Sequence, residues 1–136
     1  VIAAPIVKDY EIETIPTGYL LIDGGSPTSV EVVSGTKPLP SNRPDIIVSH
    51  ALAAQFLGME LIYLEAGSGA LNEVPEDVVK KVADEISIGL IVGGGIRTPE
   101  DANSIVDSGA SFVVIGSVIE KSAELMEDFS SAIHSV

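Results

Sequence analysis

Three times along this chain an apolar, β-branched run stops at glycine and gives way to a helical pattern. Leu61 to Leu64 leads through Glu65 and Ala66 into Gly67-Ser68-Gly69; Gly89 to Val92 leads into Gly93-Gly94-Gly95; Phe112 to Ile115 leads into Gly116-Ser117. The helical stretches that follow run from Pro75 to Ile86, from Thr98 to Gly109 and from Ser122 to His134. The second has the strongest start signal: Thr98 as N-cap, Pro99 at the first position and Glu100 and Asp101 in the first turn. Continuous apolar strands alternating with helices predict a parallel sheet covered by helices, because parallel neighbours need a long crossover between them.

Upstream the signals are less regular. Tyr19 to Ile22 is a fourth strand, closed by Asp23-Gly24-Gly25, and the spacing of Ile2, Ala3, Ile6 and Val7 predicts a helix within Val1 to Glu13. Ser26 to Pro44 is polar and proline-rich, and at that length it reads as a functional loop. Asp45 is the expected cap of a helix whose apolar face is Ile46, Ile47, His50, Ala51, Ala54 and Leu57, stopped by Gly58.

Two architectures accommodate this pattern, the open doubly wound sheet and the closed (βα)8 TIM barrel. The dinucleotide fingerprint of the first needs a third glycine, and Gly67-Ser68-Gly69-Ala70-Leu71-Asn72 lacks it. In the barrel, phosphate is held by loops after the last two strands together with a short helix N-terminus, which suits Gly94-Gly95 and Gly116-Ser117. The expectation is an α/β barrel. Four strands are about half of one and the first residue is Val1, so residues 1–136 read as a single partial barrel domain, the C-terminal half of a longer enzyme.

Composition narrows the partners. At 136 residues and 46% hydrophobic, the chain can bury one core. Seven basic against twenty acidic residues give a net charge of −13, which argues against nucleic acid or an anionic membrane surface. There is no cysteine, so thiolate metal sites and Cys nucleophiles are excluded, and no run of about 18 apolar residues that would span a membrane. A cytoplasmic setting is the default expectation, and homo-oligomerisation is left open.

An anion bound by so acidic a chain has to be held locally. Glycine loops can do this, since residues without Cβ let backbone N–H groups converge on a phosphate. The same glycines can equally serve tight turns between strands and helices. Glu65 is the other feature to explain: a carboxylate at the mouth of a barrel strand is costly to desolvate. It is a candidate base or hydroxyl acceptor, with an ion pair to Arg97 as the alternative. Tyr63, two residues earlier and on the same side of the strand, can present its hydroxyl to a ligand or fill the interior. His50 reads as a structural histidine, and Glu73, Glu76, Asp77, Asp84 and Glu85 as a solvated face. Lys37 and Arg43 could meet an anionic substrate; Asp23 could reach the rim or serve its turn.

The strings "IPTGYLLIDGG", "ALAAQFLGMELIYLEAGSGA", "IVGGGIRTPEDA" and "GASFVVIGSVIEK" together resemble archaeal geranylgeranylglyceryl phosphate synthases over nearly the whole chain. The related bacterial heptaprenylglyceryl phosphate enzymes usually place tyrosine and serine after the glutamate, so Ala66-Gly67-Ser68-Gly69 is closer to the archaeal type. The resemblance implies a prenyltransferase on a modified barrel that joins sn-glycerol 1-phosphate to geranylgeranyl diphosphate with Mg2+. It puts the glycerol phosphate site on Tyr63, Leu64, Glu65, Ala66, Gly67, Ser68 and Gly69, on Gly94 and Gly95, and on Gly116 and Ser117. Tyr63 and Glu65 would serve the chemistry. The family's metal-binding aspartate belongs to the first half of the barrel, outside this sequence, so no metal ligand is assigned. Alternatives from the residues alone are another phosphate-binding barrel enzyme acting on a sugar phosphate, or a non-catalytic anion-binding half-barrel.

Overall fold

A computed structural model describes residues 2–134. Strands β1 (Thr17–Leu21), β2 (Leu61–Glu65), β3 (Gly89–Gly93) and β4 (Phe112–Val114) form one sheet in the order β1-β2-β3-β4, every pair parallel. A doubly wound sheet reverses its strand order at a switch point, whereas a barrel adds each strand beside the last. The sequential order is that of a barrel segment.

The register divides the sheet into two unlike faces. Ile62, Leu64, Leu90 and Val92 point to the helices and are fully buried, packed with Ile47 and Ala51 of α3 (Pro44–Phe56) and Val78, Val79 and Val82 of α4 (Glu76–Glu85). The opposite face carries the row Tyr19, Tyr63, Ile91 and Phe112 and, one layer nearer the C-terminal ends, Leu21, Glu65, Gly93 and Val114. Tyr19, Phe112 and Val114 on this face are exposed. A second, smaller core joins Ala102 of α5 (Pro99–Asp107) to Phe129 of α7 (Met126–His134).

The helices depart from the sequence expectations at several points. The first, α1, spans only Ala4–Asp9 and buries nothing; Val1, at which the expected helix began, lies outside the described residues. The stretch expected to be a loop, Ser26 to Pro44, contains α2 (Ser29–Ser34), whose N-cap Thr28 accepts a hydrogen bond from the Glu31 amide and whose C-cap Gly35 is left-handed at φ 66°. It is also tied to the end of β1, since the Leu39 amide donates to Leu21 O at 2.7 Å and the Asp23 amide donates to Leu39 O at 2.9 Å. Asp45 sits inside the first turn of α3, not at its cap, and pairs with Arg43 at 2.7 Å. That helix turns Ile47 and Ala51 inward, leaving His50 and Leu57 exposed. Between β4 and the last helix stands an unexpected helix, α6 (Ser117–Lys121); a 3-10 turn over Ala123–Leu125 then precedes α7, so the expected single helix from Ser122 is divided.

Candidate functional site

The C-terminal ends of β2, β3 and β4 open onto a cavity of about 510 Å³. Of the residues singled out from sequence, Tyr63, Glu65, Ser68, Gly69, Gly94, Gly95, Arg97, Gly116 and Ser117 line it. Leu64 and Ala66 do not, because the strand's alternation buries both completely on the far side. Gly67 is inside the loop but turned away, its α-carbon packed against the Thr28 side chain. Asp23 serves its turn, accepting the Gly25 amide at 2.9 Å, and Lys37, Arg43 and His50 do not line the cavity.

Glu65 is 8% exposed, yet among the described residues it pairs with no cation. Its Oε1 accepts the Gly67 amide at 2.7 Å, and the Tyr63 hydroxyl lies beside the same carboxylate. Space for this comes from Gly93, directly opposite Glu65: a Cβ there would stand 2.6 Å from the Tyr63 hydroxyl and 3.0 Å from Glu65 Oε2. Burial, first, and then the neighbouring Glu65 carboxylate push the Tyr63 phenol well above its ordinary range, so it remains a proton donor. Tyr19 meets Tyr63 edge-on at 5.2 Å, and burial with the nearby Glu65 charge lifts its phenol to about 12. Sequence reasoning passed over Tyr19, although the tyrosine two positions before each strand end was there to be compared.

Arg97 is not the partner of Glu65. Its guanidinium donates to the carbonyls of Ala70, Leu71 and Gly95 at 2.6, 3.1 and 3.2 Å. Nearby, Glu73 Oε2 is buried without a hydrogen-bond partner, and desolvation followed by the charges of Asp101 and Glu76 raises the Glu73 carboxyl above the usual range. That residue is therefore not simply part of a solvated face.

The rim presents donors. The amides of Ser68, Gly69, Gly94, Gly95 and Ser117 donate to no protein acceptor among the described residues, and the Ser68 and Ser117 hydroxyls meet at 3.4 Å across the mouth. At α5 the N-terminus is closed by a complete capping box between Thr98 and Asp101. By contrast α6 has no side-chain cap at Gly116, so the short helix that faces the cavity is α6.

Gly94 and Gly95 are left-handed, at φ 84° and 77°, and hold the β3 exit against the β2 loop: a Cβ on Gly94 would lie 2.5 Å from the Gly67 nitrogen and 2.7 Å from Glu65 Oε1. Gly116 is different, since nothing in the protein stands within 4 Å of its missing Cβ. Packing explains the first pair and not the third.

A family model described as the PcrB family matches residues 2–134. The chain belongs to the PcrB family. Among its PcrB-type relatives, a geranylgeranylglyceryl phosphate synthase of Chitinophaga pinensis is 43% identical over 134 residues, covering 98% of this chain and 53% of that protein. One of Methanothermobacter thermautotrophicus is 50% identical over 124 residues, covering 89% of this chain and 49% of that protein. The crystal structure of (S)-3-O-geranylgeranylglyceryl phosphate synthase from Thermoplasma acidophilum in complex with substrate sn-glycerol-1-phosphate superposes with a TM-score of 0.89 at 39% identity, covering 98% of this chain and 55% of that one. The chain thus spans about half the length of the curated relatives it matches. Among the described residues, no helix is long and apolar enough to cross a membrane.

Proposed function

We propose that the cavity binds sn-glycerol 1-phosphate and that the protein containing it transfers a geranylgeranyl group from geranylgeranyl diphosphate to the glycerol 3-hydroxyl. The observation that carries this reading is that residues of three loops whose amides have no protein acceptor among the described residues line one cavity, beside a buried carboxylate in no ion pair among those residues. The amides and the two serine hydroxyls hold the phosphate; the glycerol end then lies toward Glu65 and Tyr63 on the inward face. Binding by backbone dipoles needs no basic patch, in keeping with the net charge of −13.

In the reaction the bond from the allylic carbon to the diphosphate oxygen breaks, and a bond from the glycerol 3-oxygen to that carbon forms. The hydroxyl proton passes to the Glu65 carboxylate, which the Gly67 amide holds in place beside the Tyr63 hydroxyl. Anchoring the phosphate aims the hydroxyl, an effect worth roughly 7–11 kcal/mol in ideal intramolecular cases. Magnesium, which the family resemblance implies, would neutralise the leaving diphosphate. Among the described residues no three His, Cys, Asp or Glu side chains cluster to hold it, and no step is assigned to it.

The direct test is calorimetric titration of the protein, as its gene encodes it, with sn-glycerol 1-phosphate, inorganic phosphate and a sugar phosphate, followed by turnover with geranylgeranyl diphosphate. Tightest binding of the first together with prenyl transfer is expected; preference for the sugar phosphate without transfer would favour a different barrel enzyme. Gly116→Ala sharpens the test. A methyl there meets no protein atom, so the unfolding midpoint should hold, while glycerol phosphate affinity should drop about tenfold or more as the methyl intrudes where the anion approaches.

A further inference from the structure

The geometry points to Arg97 as a positioning residue that locks two glycine loops into one phosphate cradle. This rests on the reading of the cavity as a glycerol phosphate site. The guanidinium reaches Ala70 O and Leu71 O, which follow the Gly67-Ser68-Gly69 turn on β2, and Gly95 O, in the turn on β3. One side chain therefore ties the exits of neighbouring strands. Its own backbone is fixed from behind, because the Asp101 carboxylate that completes the α5 capping box also accepts the Arg97 amide at 3.3 Å.

The bonding uses the shape of the guanidinium more than its charge. Three carbonyls in two loops require a planar fork with donors at fixed angles, and charge-assisted bonds to carbonyls are stronger than neutral ones. A lysine ammonium at the same place is a single point that cannot span both loops. The clamp also accounts for why the cation next to Glu65 in sequence reasoning leaves that carboxylate unpaired: its donors are directed to backbone oxygens.

The experiment compares the wild-type protein, as its gene encodes it, with Arg97→Lys and Arg97→Met. Amide hydrogen exchange is measured without ligand, and the KM of each substrate under turnover. Exchange at Gly67, Ala70 and Asn72, the hydrogen-bonded amides of the β2 loop, should quicken by about tenfold or more in both variants, with the amides of Ile62 and Leu90 unchanged. The KM for sn-glycerol 1-phosphate should rise by a similar factor, about tenfold, in both variants alike, and that for the prenyl diphosphate should stay, a split that general destabilisation does not give. Unaltered loop exchange would overturn the clamp, as would a lysine variant that restores the affinity lost with methionine, since charge alone would then be at work. Should the wild type bind no glycerol phosphate while the loops still loosen in both variants, the clamp stands and the functional reading falls.

Discussion

Glu65→Gln is expected to lower turnover by about 10²-fold or more while leaving sn-glycerol 1-phosphate affinity nearly unchanged, the usual scale for a positioned acid or base. Glutamine keeps the carboxylate's size and can still offer its oxygen to the Gly67 amide, so the loop geometry survives. What it loses is the capacity to take the hydroxyl proton. In the proposed function the phosphate contacts are those of the amides of Ser68, Gly69 and the loops beyond β3 and β4, which the substitution does not touch. Steady-state kinetics and calorimetry on one preparation separate the two effects. Loss of binding with unfolding would instead make Glu65 a structural residue that anchors the β2 loop through Gly67.

Gly94→Val should do the reverse, removing ligand binding together with a large part of the stability. A β-branched residue at φ 84° is strained by about 1–3 kcal/mol. Its Cβ would also strike the Gly67 nitrogen and oxygen at 2.5 and 2.8 Å and Glu65 Oε1 at 2.7 Å. Two of these are backbone atoms already engaged, the nitrogen with Glu65 Oε1 and the oxygen with the Ala70 amide, so overpacking adds about 1–3 kcal/mol. The total, roughly 2–6 kcal/mol, is a large fraction of a domain's usual 5–15. Urea unfolding would register the loss and titration the vanished binding. Lys37→Ala, outside the cavity lining, is the control and should alter neither.

The parallel sheet was legible because its strands are short, continuous apolar runs that end in glycine, a pattern that depends only on neighbours along the chain. The α6 helix was not. Five residues, Ser117–Lys121, are too few to display a helical period, and they lie between the Gly116-Ser117 exit and the helix expected from Ser122. The α2 residues lie in a polar, proline-rich stretch that reads as a loop, and the available signal was the cap: Thr28, three residues before Glu31, is a capping-box pattern. His50 was misplaced because α3 is apolar on several sides, leaving the buried stripe to be chosen by β1, β2 and α4.

The site divides in the same way. Alternation placed Tyr63 and Glu65 together on the inward face, where parallel register then brings Tyr19 alongside. The partner of Glu65 could not be found from charges, since it is the backbone of Gly67, and the partners of Arg97 are carbonyls, which every residue has. Leu64 and Ala66 fall within the family's contiguous motif and yet face the core. For these two, the motif marks a stretch of chain whose backbone matters more than its side chains.

The central claim is that backbone amides from three strand exits hold the phosphate. It is tested most directly by following every amide in a proton–nitrogen correlation spectrum of the protein, as its gene encodes it, during titration with sn-glycerol 1-phosphate. The account predicts the largest shifts at Ser68, Gly69, Gly94, Gly95 and Ser117, saturating together with one affinity. Shifts confined to the segment around Lys37 and Arg43, or separate affinities for the three loops, would contradict it.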